Sequence, residues 1–107
     1  MGTNKNSPLT EAVYYILLSL YTPLHGYGSM QNVKKLTDGR VNIGAGTLYG
    51  AINTLLSKGL IEEYSSDPSK KEYLITDDGK NAVEYELKRL KELVKNGDKL
   101  IGGNNNE

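Results

Sequence analysis

The segment from Gly44 to Tyr64, GAGTLYGAINTLLSKGLIEEY, constrains the fold more than any other part of the chain. Leu48, Ala51, Ile52, Leu55 and Leu56 recur at i, i+3, i+4, i+7 and i+8, the pattern of one apolar helix face. Thr47, Gly50, Asn53, Thr54 and Ser57 fall on the opposite side. Gly44 stands where an N-cap is needed and Gly59 where the helix must stop. Three glycines in the first seven residues disfavour such a helix, and each one in its interior costs roughly 0.5–1 kcal/mol relative to alanine. Glycine on a solvent-side position therefore needs a reason, and the close approach of another surface is one.

Around this helix the chain reads as further helices and one hairpin. SPLTEAVYYILLSLY predicts a first helix, N-capped by Ser7 with Pro8 at its first position. Leu9, Val13, Ile16, Leu17 and Leu20 form its stripe, and Tyr14, Leu18 and Tyr21 widen it, which predicts burial on two sides. Pro23 ends it. GYGSMQNVKKLTDG predicts a second helix with Tyr27, Met30, Val33 and Leu36 inward and Gly39 as its stop. RVNIG reads as a short extended link and a candidate partner for a later strand. Two short strands flank SSDPS, whose Asp-Pro-Ser centre is turn chemistry. Thr76 caps a last helix that opens with Asp77 and Asp78. Along it Val83, Leu87, Leu90, Val94 and Ile101 form a heptad-like seam.

The expected fold is mainly α with a small β-hairpin. Helix, helix, helix, hairpin, helix is the order of a winged helix-turn-helix, whose third helix reads DNA. Residues 1–7 are expected to be a flexible N-terminus, 8–76 the winged helix-turn-helix, 77–101 a C-terminal dimerisation helix and 102–107 a disordered tail.

Composition removes several function classes. There is no cysteine, so disulfide scaffolds, Cys-based zinc sites and thiol nucleophiles are excluded. A single histidine, His25, argues against a metal site and a His-dependent triad, and reads as a packed or capping residue. No acid–base pair beside a nucleophile stands out, so neither an enzyme nor a cofactor is expected. No run approaches a membrane span and MGTNKNSP lacks a signal peptide's apolar core, which predicts a cytoplasmic protein without membrane contact. Formal net charge is zero, yet from His25 to Ile61 four cations face one anion. With no Phe or Trp, eight tyrosines must serve both as core filling and as stacking surface.

HGYG (25–28), GTLYGAINTLLSKGLIE (46–62) and KKEYLITDDGK (70–80) together resemble the PadR family of bacterial transcription regulators in its short-chain form. The resemblance spans roughly Leu9 to Leu100. It implies a winged-helix repressor acting as a homodimer on a pseudo-palindromic double-stranded DNA operator, with the last and first helices at the dimer interface. Some members release DNA on binding a small molecule. Two features depart from the family pattern. Lys70 and Lys71 stand in the wing where many relatives carry arginine, and no tryptophan is present on the last helix to stack a flat aromatic drug.

The expected DNA-contacting residues are Lys35, Gly46, Thr47, Tyr49, Gly50, Asn53, Thr54, Lys70 and Lys71. Asn53 has the donor–acceptor pattern to pair with adenine, Thr47 suits a phosphate or a thymine methyl, and the lysines suit phosphates. Lys34 and Arg40 are candidates for the flank. Tyr49 carries two readings, core support for the second helix and phosphate contact, with the second preferred. Tyr27 carries the same two, with core preferred. The expected dimer interface is Val13, Leu17, Val83, Leu87, Leu90 and Val94. A small aromatic effector is expected near Tyr14, Tyr15 and Tyr85. The competing reading is a winged-helix protein-interaction module without sequence-specific DNA binding, which zero net charge would suit.

Overall fold

The computed structural model describes residues 7–65, 67 and 69–102. The expected flexible N-terminus up to residue 6, the tail from residue 103 and two residues of the SSDPS segment, Ser66 and Pro68, lie outside the described residues. The elements run α1 (Glu11–Ser19), β1 (Leu24–His25), α2 (Gly26–Leu36), α3 (Ala45–Ser57), β2 (Ile61–Glu63), β3 (Glu72–Ile75) and α4 (Asp77–Gly97). A π-helical turn, Asp98–Gly102, extends α4.

Local sequence accounts for most boundaries. His25 caps α2, its Nδ1 accepting from the Gly28 backbone N–H at 3.0 Å. Gly44 is the N-cap of α3 and Thr76 that of α4, where its hydroxyl accepts from the Gly79 N–H at 3.1 Å. α3 stops in a Schellman motif. Gly59, at φ +73, donates to the Leu56 carbonyl at 3.0 Å, and Leu60 donates to that of Leu55 at 3.0 Å. α2 stops the same way with Asp38, not Gly39, in the first left-handed position at φ +52.

Three expectations are corrected. α1 begins at Glu11 under a Thr10 cap, which accepts from the Val13 N–H at 3.2 Å, and not at Pro8 under Ser7. The Leu9 N–H is drawn instead to the Glu86 carboxylate at 3.3 Å. The third strand partner is Leu24–His25 rather than the RVNIG link. β1 pairs antiparallel with β3 (Leu24 with Tyr73), and β3 pairs with β2 (Ile61 with Ile75), giving the order β1-β3-β2. The inward face of α2 is also rotated. Gly26, Ser29 and Val33 are buried, whereas Tyr27 and Leu36 are 55% and 61% exposed. Small residues let α2 approach closely, since a Cβ on Gly26 would stand 2.9 Å from Tyr49 Cε1.

The core gathers Ile16, Leu17 and Leu20 of α1, Val33 of α2, Leu48, Ile52 and Leu55 of α3, Leu60, Ile61, Tyr73 and Ile75 around the sheet, and Ala82 and Val83 of α4. Each fully buried aliphatic side chain contributes about 1.5–3 kcal/mol. The α4 start is seated most tightly. A Cβ on Gly79 would lie 2.1 Å from the Leu60 carbonyl oxygen. Backbone cannot yield as a flexible side chain can, so Gly79→Ala is expected to lower unfolding free energy by at least 1–3 kcal/mol, roughly the cost of overpacking. Gly97→Ala, which meets nothing within 4 Å, is expected not to destabilise. Urea denaturation of the two variants checks this difference.

Candidate nucleic-acid interface

α3 places its two faces as the spacing predicts. Leu48, Ile52 and Leu55 are buried, while Gly46, Thr47, Gly50, Asn53 and Thr54 are exposed. Neither Thr47 nor Asn53 has a side-chain partner among the described residues. Ser57 is different, because its hydroxyl donates to the Thr54 carbonyl at 3.0 Å. No side chain caps α3 at Gly44, so its first-turn N–H groups are open to an external acceptor. A Cβ on Gly44, Gly46 or Gly50 would meet nothing within 4 Å. Internal packing therefore does not require glycine at Gly46 or Gly50.

Tyr49 bridges the two readings given to it. Its ring carbons Cε1 and Cζ lie against Gly26, so it supports α2, yet the residue is 46% exposed. Beside it, Tyr73 is buried, and burial raises its phenol pKa, with Glu63 and Tyr49 adding to the rise.

Along α2 the structure joins residues that the sequence reading separated. Tyr27, Gln31, Lys34, Lys35 and Asn42 line one open groove of about 630 Å3 beside Asp38 and Gly39. Lys35 was expected there; Gln31 and Asn42 were not. The signal for Gln31 was spacing, because Tyr27, Gln31 and Lys34 share one side of a helix; Asn42 lies in the loop after α2 and no period points to it. Arg40 leaves this set, since its guanidinium pairs with Glu11 of α1 at the surface. In the wing, the Asp67 carboxylate accepts from the Ser69 N–H at 3.0 Å and its hydroxyl at 2.8 Å, and these bonds hold its pKa below the usual range. The exposed Lys70 and Lys71 follow that turn; the Lys70 N–H donates to the Asp67 carbonyl at 2.9 Å, and neither ammonium has a partner among the described residues.

The residues expected at a dimer interface divide. Leu17 and Val83 are sealed in the protomer's own core, so neither offers surface. Val13 and Leu90 are half-buried, and Leu87 and Val94 are exposed. Beyond Glu86 the seam runs off the body of the domain, leaving Leu93 52%, Val94 63%, Leu100 85% and Ile101 90% exposed.

The three tyrosines assigned to an effector also divide. Tyr14 and Tyr15 meet edge to face with ring centroids 6.0 Å apart. With Leu9, Glu86, Arg89 and Leu90 they line a cavity of about 250 Å3. Tyr85 lies elsewhere, on the lysine-rich side of α4. Glu86 was missed, although it continues the buried spacing of Gly79, Ala82 and Val83. Its carboxylate accepts from Arg89 Nε at 3.1 Å as well as from Leu9. The Arg89 hydrogen bond lowers its pKa, and this outweighs burial, which raises it. Burial, then the Glu86 charge, raises the pKa of Tyr14.

Three helices around a small sheet, with an exposed face on α3 and a lysine-bearing wing, define a winged helix-turn-helix fold. The chain belongs to the PadR-like family of transcriptional regulators, whose family model matches residues 15–85. A PadR family transcriptional regulator from Eggerthella lenta is 30% identical over 86% of this chain and 82% of its own, with a TM-score of 0.69. A transcriptional regulator from Clostridium thermocellum is 22% identical over 85% of this chain and 92% of its own, with a TM-score of 0.71. A winged-helix DNA-binding protein from STIV shares the fold at a TM-score of 0.54 and 23% identity, over 86% of this chain and 92% of its own. Comparison with curated protein sequences finds no match. No described helix is long and apolar enough to cross a membrane.

Two outcomes follow from this geometry. Because the folded pKa of Glu86 is lowered, its stabilising effect is full above the ordinary glutamate value of about 4.3 and is lost as pH falls through the folded value. Glu86→Gln is expected to flatten the loss of stability in acid, measured by denaturation across pH 2–6 (roughly the range in which carboxylates titrate). Gly50→Ala is expected to raise stability by about 0.5–1 kcal/mol, since the site is open and helical. Thermal melting at neutral pH measures it.

Proposed function

We propose that the chain is a homodimeric, sequence-specific DNA-binding repressor acting in a bacterial cytoplasm and released by a small aromatic effector. The observation that carries this reading is the outward face of α3. Five of its residues, Gly46, Thr47, Gly50, Asn53 and Thr54, are exposed, as are Lys35 of the α2 groove and the wing lysines Lys70 and Lys71. Small residues let a helix sink into the major groove, and Asn53 supplies a bidentate pattern for adenine. Lys35, Lys70 and Lys71 neutralise phosphates, and the open N–H groups of the first α3 turn donate to another. Tyr49 positions α3 through Gly26 and presents its exposed part to the backbone.

Dimerisation follows from the uncovered end of α4. Leu87, Leu90, Leu93 and Val94 form an apolar face that water opposes, and a two-fold partner covers it with the same residues. Such a dimer presents two α3 helices to half-sites about 34–36 Å apart on a pseudo-palindromic operator. The Tyr14–Tyr15 cavity is the effector site of this reading, with two rings for stacking and the Glu86–Arg89 pair in its lining.

Mobility-shift titration against DNA upstream of the chain's own gene tests the proposal. Three phosphate-contacting lysines per subunit predict that log K falls against log salt with a slope of about −5. Asn53→Ala is expected to weaken operator more than random DNA, whereas Lys71→Ala weakens both alike. Gly50→Ala is expected to lose operator affinity despite its gain in stability. No binding at low salt favours the protein-interaction module instead. Light scattering at micromolar concentration is expected to give a dimer, and Leu93→Ser with Val94→Ser a folded monomer. A monomeric wild type removes the role given to α4.

A further inference from the structure

On the flank of α3 lies another cavity, of about 270 Å3, bounded by the start of α1 and the second half of α3. Pro8, Leu9, Val13, Ala51, Leu55 and Leu60 give it apolar walls. Lys58 is the only ionisable residue among those lining it. That lysine is the C-cap of α3, is exposed, and has no side-chain partner among the described residues. The Tyr14–Tyr15 cavity is separate, and of its residues only Leu9 also lines this one.

The lining selects its ligand by chemistry. Its volume falls just below the roughly 300–1,000 Å3 of pockets that hold drug-sized molecules, so the occupant is small. Apolar walls favour an apolar body. A single cation at the rim favours one negative head, and a polyanion would find no second cation among the described lining residues. A neutral hydrocarbon would leave the Lys58 ammonium without an ion partner. We propose that this cavity binds a small amphipathic monocarboxylate of the medium-chain fatty acid class, and that its occupancy opposes DNA binding. Gly50 and Thr54 line the cavity and also belong to the outward face of α3. A carboxylate held at Lys58 neutralises a cation on α3 and adds a negative group at the margin of the face that phosphates approach. The binding half of this proposal stands on the cavity, and the coupling half rests on the DNA-reading role assigned to α3.

The experiment begins without DNA. Full-length, 15N-labelled protein is titrated with octanoate and followed by amide shifts. Saturable shifts are expected at Leu9, Val13, Ala51 and Lys58. Lys58→Gln is expected to weaken octanoate roughly tenfold, the loss of one charge-assisted contact, while leaving the binding of 1-octanol unchanged. Absence of saturable shifts at those amides up to millimolar octanoate overturns the site. So do shifts confined to the apolar end of α4, or an unchanged octanoate affinity in Lys58→Gln. In the second arm, saturating octanoate is expected to release DNA from the wild type and not from Lys58→Gln. DNA binding that ignores saturating octanoate overturns the coupling. Octanoate binding in a protein that binds no DNA at any salt leaves the site standing and refutes the DNA reading, so the two failures are distinct.

Discussion

The rest of the structure depends on one close junction at Thr76. Its backbone N–H donates to the Leu60 carbonyl at 3.0 Å, its hydroxyl donates to the Gly59 carbonyl at 2.7 Å, and that hydroxyl also accepts from Gly79. Gly79 meets Leu60 so closely that no side chain fits between them. One residue away, the Ile75 N–H donates to the Leu20 carbonyl at 2.8 Å. The end of α3, the start of the wing, the start of α4 and the end of α1 therefore meet at one point. The angle between the outward face of α3 and the uncovered end of α4 is fixed there, by backbone hydrogen bonds rather than by long side chains.

A second junction secures the other end of α1. Glu86 is almost fully buried, and it is kept charged by Arg89 and the Leu9 N–H. Burial of a lone carboxylate is costly, and two donors offset that cost. The same bond explains why α1 starts late. Its upstream residues are held by a tertiary contact that competes with helix formation. Between these two junctions lie both cavities to which ligands are assigned, so α1 borders each of them.

Much of the fold was legible in the sequence because its causes are local. The His25, Gly44 and Thr76 caps and the Gly59 stop depend on neighbours three or four residues away, and chain order shows those directly. The inward phase of α2 was not legible. A stripe of bulky residues predicted Tyr27 and Leu36 inward, but close packing favoured Gly26 and Ser29, whose smallness hides them from a count of apolar residues. β1 was missed because two residues carry no periodicity and become a strand only by pairing with β3. Leu17 and Val83 followed the stripes of α1 and α4 correctly. A stripe cannot say whether its cover comes from the same chain or from another.

The sequence by itself determined the family, the order of helices and hairpin, and the small polar composition of the α3 face, since these follow from motif, period and capping chemistry. Only the tertiary structure decided which tyrosines face outward and that Arg40 pairs with Glu11. It also decided that Glu86 is buried, and where the apolar seam of α4 leaves its own domain. Those facts depend on contacts between residues as many as 77 positions apart. Chain folding creates such contacts, and no local pattern encodes them.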